Sequence, residues 1–174
     1  LYGHSMGGLI ALHHNLDFPD HGLAGLILSN PLLGVAFEPP KLKVLAGRLL
    51  SRVLPRLRLG SELDATRISR DAEEVRKYKE DPLVHGLLST RLYTSMLAAI
   101  ERVASQPEAV LVPTLWLLGL ADGIVSASTS QTFTNSLPRD KTTVRTWPLT
   151  YHEPHNDLDR DEVFAAAIGW LLTR

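Results

Sequence analysis

The stretch LYGHSMGGLI, residues 1–10, decides how the rest of the chain is interpreted, because it sets a serine among glycines directly before an apolar segment. Its core, GHSMG at residues 3–7, fits the pattern G-x-S-x-G. That pattern is typical of a sharp turn from a strand into a helix, which holds the serine in a strained conformation with its hydroxyl exposed. The flanking glycines leave out Cβ atoms that would collide where strand and helix approach, and Gly8 extends that relief. The pattern therefore predicts a nucleophile at Ser5.

The helix predicted behind Ser5 supplies a second part of the same site. A helix N-terminus presents backbone N–H groups and a partial positive charge, which together stabilise an anion. The N–H of Met6, directly after the nucleophile, is the expected oxyanion donor. The residues also allow a simpler alternative, in which Ser5 only caps a helix that follows a glycine-rich turn.

A serine hydroxyl becomes a nucleophile when a base removes its proton and an acid orients that base. In this type of fold the acid and then the histidine follow the serine along the chain, in loops after strands. The apolar run PTLWLLG at residues 113–119 is followed by Asp122, and TTVRTWP at residues 142–148 is followed by His152 and His155. The required order is therefore present, with two candidate bases.

Apolar periodicity alternates between strand and helix along much of the chain. Buried strands are predicted at residues 23–29 and 113–119, a further strand at residues 142–148, and helices after Ser5 and at residues 126–137 and 161–172. Such alternation is typical of an α/β fold, with a mostly parallel sheet and helices on both faces. Between residues 34 and 111 the pattern is helical and broken by prolines, which predicts an insertion over the strand ends.

Three segments, GHSMGG, LGLADGIVS and TYHEPHND, resemble the catalytic blocks of the monoacylglycerol lipase and lysophospholipase branch of the α/β-hydrolases, a serine aminopeptidase-like hydrolase domain. The spacing agrees with that branch, since Asp122 lies 117 residues after Ser5 and His152 lies 30 residues after Asp122. The insertion is similar to that family's cap region in KVLAGRLLSRVLPRLRLG, RISRD and KYKEDPLVHGLLSTRL. The resemblance covers essentially the whole chain.

This resemblance implies a role for each block. Ser5 would be the nucleophile, Asp122 the acid that orients the base, and His152 the general base. His152 matches because the family's histidine follows an aromatic or small residue and precedes the final helix, whereas His155 has no role in the motif. Where the family often has a basic residue after the acid, this chain has Gly123. No cofactor is implied.

The resemblance also divides the chain. Residues 1–33 would hold the nucleophile turn, helix and next strand of the hydrolase core, residues 34–111 the helical cap insertion, and residues 112–174 the C-terminal hydrolase core. A hydrolase of this fold needs further strands and a second oxyanion donor from earlier in the chain. We expect the chain to be the C-terminal part of such an enzyme, without its N-terminal core strands and second donor, and inactive by itself.

A crowded group of His152, Glu153, His155 and Asp157 offers an alternative chemistry, since imidazole and carboxylate are zinc ligands. The spacing H-E-P-H differs from the H-E-x-x-H of helical zinc sites, and Pro154 disfavours the helix that would align the histidines. We therefore predict no metal. Surface or packing roles are predicted for the five remaining histidines, which are His4, His13, His14, His21 and His85.

Composition argues against several other classes of protein. The chain has 174 residues and a formal net charge of −1, whereas a general nucleic-acid binder needs a basic excess to neutralise phosphates. It has no cysteine, so neither a disulfide framework nor a thiolate metal site can form. No apolar run approaches the roughly 18 residues of a membrane span. We expect a cytoplasmic protein, at most peripheral to a membrane.

The segment from Lys41 to Leu59 carries six basic residues and no acid, with leucines and valines at helical spacing. A basic helix with a broad apolar side suits an anionic lipid surface. It equally suits a helix that packs its leucines on the core while its basic side chains are solvated. The resembled family has a cap that docks on membranes, which implies peripheral membrane contact here. A second helix is predicted over His85–Val103.

The resulting expectation is a serine ester hydrolase that cleaves monoacylglycerols or related acyl esters such as lysophospholipids, through an acyl-enzyme on Ser5. One alternative is a peptidase or small-ester hydrolase with the same three residues. Another is a non-catalytic relative that keeps the fold for binding.

Overall fold

A computed structural model describes residues 1–19, 22–37, 41–61 and 63–174, except for the side chains at positions 41 and 43. His21, for which a surface or packing role is predicted, lies outside the described residues. The helices and strands follow in the order β1 (Tyr2–His4), α1 (Met6–Asp17), β2 (Leu26–Ser29), α2 (Lys41–Val53), β3 (Arg58–Gly60), α3 (Ala72–Glu80), β4 (Leu87–Ser89), α4 (Thr90–Ala104), β5 (Thr114–Gly119), α5 (Ala127–Asn135), β6 (Thr142–Trp147) and α6 (Arg160–Leu171).

Among the described residues, the central sheet contains four parallel strands in the order β1-β2-β5-β6. Every residue of β2 and of β5 is buried, as expected for apolar strands that are covered on both faces. In a parallel sheet all carboxyl ends lie at one edge, so the turns after β1, β2, β5 and β6 meet there. The predicted mostly parallel sheet is confirmed, and β2 begins three residues later than the predicted strand.

Helices cover both faces of this sheet, as predicted. On one face, Leu12 of α1, Val103 of α4 and Phe133 of α5 belong to a single apolar cluster with the strands. On the other face, Val163 and Trp170 of α6 pack against the strands in a second cluster. The α/β fold class is therefore confirmed.

The helix predicted over Lys41–Leu59 is too long, because α2 ends at Val53. Pro55 follows two residues after Val53, and a proline has no N–H to continue the helical hydrogen bonds. The chain then forms β3, which pairs antiparallel with β4. This small hairpin was not predicted from the sequence.

The helix predicted over His85–Val103 also begins later, at Thr90, because β4 occupies Leu87–Ser89. The hydroxyl of Ser89 accepts a hydrogen bond from the N–H of Leu92 over 3.1 Å and caps α4. Helix α4 contacts both α2 and α1 and contributes to the core. The domain boundaries at residues 34 and 111 stay a prediction.

The last helix, α6, buries only part of the side that its sequence pattern predicts to be apolar. Val163 and Trp170 are buried and Ala167 is partly buried, whereas Phe164 is 49% and Leu171 54% exposed. Val163, Ala167 and Trp170 follow the spacing of one helical face, while Phe164 and Leu171 lie beside it.

Candidate active site

The turn between β1 and α1 holds Ser5 in a strained conformation. Its φ of 51° and ψ of −120° are unusual for a residue with a side chain. The surrounding chain maintains this geometry, since the N–H of Ser5 donates to the carbonyl oxygen of Ser29 over 3.0 Å. The carbonyl oxygen of Ser5 accepts from the N–H of Leu32 over 2.9 Å. Both contacts come from the end of β2 and the residues after it.

Close backbone contacts explain two of the glycines around Ser5. A Cβ on Gly3 would lie 2.6 Å from the carbonyl oxygen of Gly7, and a Cβ on Gly8 would lie 2.7 Å from the Cβ of Pro31. The predicted collision was wrong for Gly7 itself. A Cβ there would meet no atom of the described residues within 4 Å, because it is the backbone of Gly7 that approaches Gly3.

The hydroxyl of Ser5 is not used to cap the helix. Ser5 directly precedes α1, yet its side chain makes no capping hydrogen bond. Its Oγ instead lies 3.0 Å from Nε2 of His152, a residue 147 positions later in the chain. The simpler alternative, a serine that only caps α1, is therefore wrong.

His152 connects Ser5 to Asp122. Its Nδ1 lies 2.7 Å from Oδ2 of Asp122, and both side chains are buried. The other carboxylate oxygen accepts the N–H groups of Ile124 and Val125 over 2.8 and 2.9 Å, which holds the carboxylate in place. With Nδ1–H donating to the carboxylate, Nε2 is left as the acceptor for the Ser5 hydroxyl proton. All three predicted side chains meet at the carboxyl edge of the sheet.

Met6 is the first residue of α1, so its N–H belongs to the turn whose N–H groups have no acceptor within the helix. That turn carries no acidic side chain, so the positive end of the helix dipole is not neutralised locally. This arrangement suits an anion that forms next to Ser5. The oxyanion role of Met6 stays a prediction.

Asn30 is a site residue that the sequence analysis missed. It is buried, has a φ of 38°, and its Nδ2 donates to the carbonyl oxygens of Tyr151 and His152 over 3.0 and 2.9 Å. Its Oδ1 accepts the N–H of Gly119 over 2.9 Å. One side chain thus connects the ends of β2 and β5 to the loop of His152. An asparagine directly after a buried strand was the available signal, since asparagine tolerates left-handed conformations.

The ring of His4 packs between those of His152 and His155. The ring of His4 lies 4.8 Å from that of His152 and 4.9 Å from that of His155, centroid to centroid. The Nδ1 of His4 lies 3.0 Å from the carbonyl oxygen of Ser29. Burial, and then the proximity of His152 and His155, lowers the pKa of His4 to about 3, so its ring is neutral near pH 7. The predicted packing role of His4 fits this placement.

His155, the other candidate base, has a different partner. Its Nδ1 lies 3.4 Å from the hydroxyl oxygen of Tyr2. Burial lowers the pKa of His155 below its ordinary value. Within the described part of the chain, the hydrogen bond to the Ser5 hydroxyl comes from His152.

The side chains of the alternative metal group have other partners. Asp157 accepts from Arg70 and from the N–H of Tyr151, and Glu153 accepts from Asn156. Among the residues that the structure describes, no three His, Asp or Glu side chains are grouped as metal ligands.

Comparison with known proteins places this site in context. Monoglyceride lipase of Rattus norvegicus is 34% identical over 160 residues, which cover 91% of this chain and 52% of that protein. Phospholipase YtpA of Bacillus subtilis is 32% identical over 168 residues, which cover 96% of this chain and 65% of that protein. The chain therefore spans between about half and two thirds of the length of these relatives.

Among solved structures, the crystal structure of Paleococcus ferrophilus monoacylglycerol lipase matches with a TM-score of 0.94 and 32% identity, over 99% of this chain and 67% of that one. Residues 1–159 match the family described as serine aminopeptidase, S33. Because this match extends over most of the chain and the parallel sheet is shared, the chain belongs to the serine aminopeptidase, S33 family and has an α/β-hydrolase fold.

Proposed function

We propose that the full-length protein is a serine ester hydrolase that cleaves monoacylglycerols or related acyl esters, including lysophospholipids, through an acyl-enzyme on Ser5. The observation that carries this proposal is the chain of hydrogen bonds from Ser5 through His152 to Asp122, with lengths of 3.0 and 2.7 Å. The similarity to a monoglyceride lipase and to a phospholipase supports the class of substrate.

In the proposed reaction, Oγ of Ser5 attacks the ester carbonyl carbon while Nε2 of His152 takes its proton. The oxyanion that forms accepts a hydrogen bond from the N–H of Met6. When the C–O bond to the alcohol breaks, Nε2 returns the proton to the leaving oxygen. Water then loses a proton to Nε2 and attacks the acyl carbon. As the bond between the acyl carbon and Oγ of Ser5 breaks, Nε2 returns that proton to Oγ, which releases the fatty acid and regenerates Ser5. Asp122 stays ionised and stabilises the imidazolium form of His152.

The neutral ring of His4 beside the base supports this cycle. His152 must carry a positive charge while the tetrahedral intermediates exist, and a second cation beside it would raise their energy. The lowered pKa of His4, which is caused first by burial, keeps that neighbour uncharged. The transient positive charge on His152 therefore lies next to the carboxylate of Asp122.

Labelling with a fluorophosphonate tests whether Ser5 is a nucleophile. Full-length protein should be labelled, and Ser5→Ala should abolish labelling without loss of fold. Ser128→Ala, which removes an exposed hydroxyl, is the matched control and should be labelled like the wild type. Persistent labelling of Ser5→Ala, or none of the wild type, contradicts the proposal and favours a non-catalytic relative.

A peptidase is the second candidate, because the matched family is the serine aminopeptidase, S33 family. Hydrolysis rates on monoacylglycerols, lysophospholipids, short-chain esters and aminoacyl amides distinguish the two. We expect the highest kcat/KM on long-chain acyl glycerols or lysolipids. Preferred turnover of aminoacyl amides would support the peptidase instead.

We further propose that α2 contacts a membrane that carries anionic lipid, as a peripheral cytoplasmic protein would. Arg48 and Arg52 of this helix are exposed, and no acidic residue lies within Lys41–Val53. Helix α2 also exposes a row of four apolar side chains. These are Leu42 (77% exposed), Leu45 (65%), Leu49 (64%) and Val53 (70%). Apolar area and basic charge on one helix favour insertion at an anionic interface. None of the described helices is long and apolar enough to cross a bilayer.

A further inference from the structure

Residues 67–71, between β3 and α3, run along the loop that carries His152. The N–H of His152 donates to the carbonyl oxygen of Arg67 over 3.3 Å, and the N–H of Glu153 donates to that of Ile68 over 2.8 Å. A segment from the predicted cap thus pairs with the backbone of the proposed base itself.

Arg70 adds an ionic connection between the same two segments. Its Nε donates to Oδ1 of Asp157 over 2.7 Å, and a terminal nitrogen donates to Oδ2 of Asp159 over 2.5 Å. The side chain of Asp157 is fully buried. Its second oxygen accepts the N–H of Tyr151 over 2.7 Å. A continuous path of charged hydrogen bonds therefore leads from Arg70 through Asp157 to the Thr150–Tyr151 peptide, and Tyr151 directly precedes His152.

The chemistry of this path depends on an arginine. A buried carboxylate is costly unless a cation and hydrogen bonds compensate it, and Arg70 provides the cation for Asp157. The planar guanidinium can donate to two carboxylates at fixed angles, whereas a lysine ammonium acts as a single point charge. Without Arg70, Asp157 would lose the partner that holds it against the N–H of Tyr151.

We propose that Arg70 is a positioning residue for the general base, since through Asp157 it holds the Thr150–Tyr151 peptide, next to His152 in the chain, and thereby sets the distance from Nε2 of His152 to Oγ of Ser5. This inference rests on the proposed function, in which His152 takes the Ser5 proton. Proton transfer depends steeply on that distance, so the loss of Arg70 acts on the chemical step.

Arg70→Met and Arg70→Lys in the full-length protein test the proposal, with kcat and KM measured on a soluble p-nitrophenyl ester. We expect Arg70→Met to lower kcat on the order of 10- to 100-fold, the effect of a base displaced by about 1 Å, with KM little changed. Arg70→Lys should recover part of the loss because it keeps the charge. The downfield NMR resonance of the His152 Nδ1–H proton should shift or broaden in Arg70→Met.

Arg160→Met is the matched control. Arg160 donates to Asp71 over 3.1 Å, so it also joins the 67–71 segment to the start of α6. Asp71 accepts from the N–H of Glu73 at the start of α3 and not from the backbone of the His152 loop. Arg160→Met should therefore keep wild-type kcat and the wild-type NMR resonance.

Removing Arg70 alone leaves a buried charge that can prevent folding. The double variant Arg70→Met/Asp157→Asn removes both charges. If Arg70→Met does not fold, the kcat of this double variant and of Arg70→Lys tests whether Arg70 positions His152. Wild-type kcat in these two variants overturns the proposal, as does an equal loss of kcat in Arg160→Met. If the wild type itself is not labelled at Ser5, the proposed function fails and this inference with it. If the wild type is labelled and the Arg70 variants match it, only this inference fails.

Discussion

The side-chain amide of Asn30 donates a 2.9 Å hydrogen bond to the carbonyl oxygen of His152, across 122 positions of sequence. Asn30 lies at the carboxyl end of β2, so it supports the loop of the proposed base from the core side. The segment of residues 67–71 pairs with the same loop. The position of the His152 ring is therefore set by two separate parts of the chain.

We expect Asn30→Ala to destabilise the protein and to lower kcat. The substitution removes the Asn30 partner of the N–H of Gly119 and of the carbonyl oxygens of Tyr151 and His152, at about 1–3 kcal/mol for an unsatisfied buried group. Urea denaturation and ester turnover measure the two effects. Asn135→Ala, at an exposed asparagine of α5, should change neither. An Asn30→Ala variant with wild-type stability and kcat would show that Asn30 does not support the site.

We expect Asp122→Asn to fold and to lose activity by a factor of about 10⁴, as when the orienting acid of a serine hydrolase becomes an amide. The amide cannot accept the Nδ1–H proton while its own NH₂ faces the ring, so the imidazole adopts the wrong tautomer. Single-turnover rates with a chromogenic ester measure this loss. Asp161→Asn, in the first turn of α6, is the control and should stay active.

The two candidate bases can be separated by matched substitutions. We expect His152→Ala to abolish both ester turnover and fluorophosphonate labelling, since the hydrogen bond to Ser5 Oγ is lost. His155→Ala should keep measurable activity, because its Nδ1 contacts Tyr2 rather than Ser5. Comparable inactivation of the two variants, with fold retained, would contradict the assignment of His152 alone.

The partly buried ring of His4 should make stability depend on pH. The unfolded chain takes up a proton near the ordinary pKa of 6.5, whereas burial keeps the folded ring neutral down to about pH 3. Between these values the unfolded state binds more protons, so the free energy of unfolding falls as pH falls, by at most about 1.4 kcal/mol per pH unit from this residue. Above pH 6.5, His4 no longer makes the free energy of unfolding depend on pH.

His4→Asn tests this dependence, because an asparagine amide can still donate to the carbonyl oxygen of Ser29 but does not titrate. Urea denaturation near pH 7 and near pH 5 measures, for each protein, how much the free energy of unfolding falls between these two pH values. We expect a smaller loss in His4→Asn than in the wild type. Equal losses would show that His4 does not titrate with a lowered pKa.

Membrane contact through α2 predicts that polar substitution of its exposed leucines weakens vesicle binding. Leu45 and Leu49 are 65 and 64% exposed, and burial of a leucine side chain contributes about 1.5–3 kcal/mol. Leu45→Ser and Leu49→Ser should each reduce partitioning onto phosphatidylserine-containing vesicles by roughly tenfold or more. Turnover of a soluble ester should be unchanged.

Leu172→Ser, at an 82% exposed leucine after α6, is the control for vesicle binding. Arg48→Gln/Arg52→Gln should weaken binding to anionic vesicles more than to neutral ones, and added salt should reduce that difference. If Leu45→Ser, Leu49→Ser and Leu172→Ser bind vesicles equally well, α2 is not the membrane contact.

The parts of the fold that could be predicted were those encoded by neighbouring residues. The apolar runs of β2 and β5 predict buried strands because both faces of those strands are covered. The hairpin of β3 and β4 was not predicted because each strand is three residues long and because Leu59 of β3 and the two leucines of β4 also fit a helix. Its pairing depends on a partner almost thirty residues away, which local periodicity cannot encode.

By itself, the sequence determined the alternation of strands and helices, the nucleophile Ser5, the acid Asp122 and two candidate bases, His152 and His155, since glycine pattern, periodicity and chain order can be read directly along the chain. Only the tertiary structure decided which histidine faces Ser5, and that Asn30 and Arg70 both hold its loop. These contacts join residues between 87 and 147 positions apart. Such distances close only when the parallel strands bring their carboxyl ends to one edge, which is why no short stretch of sequence could reveal them.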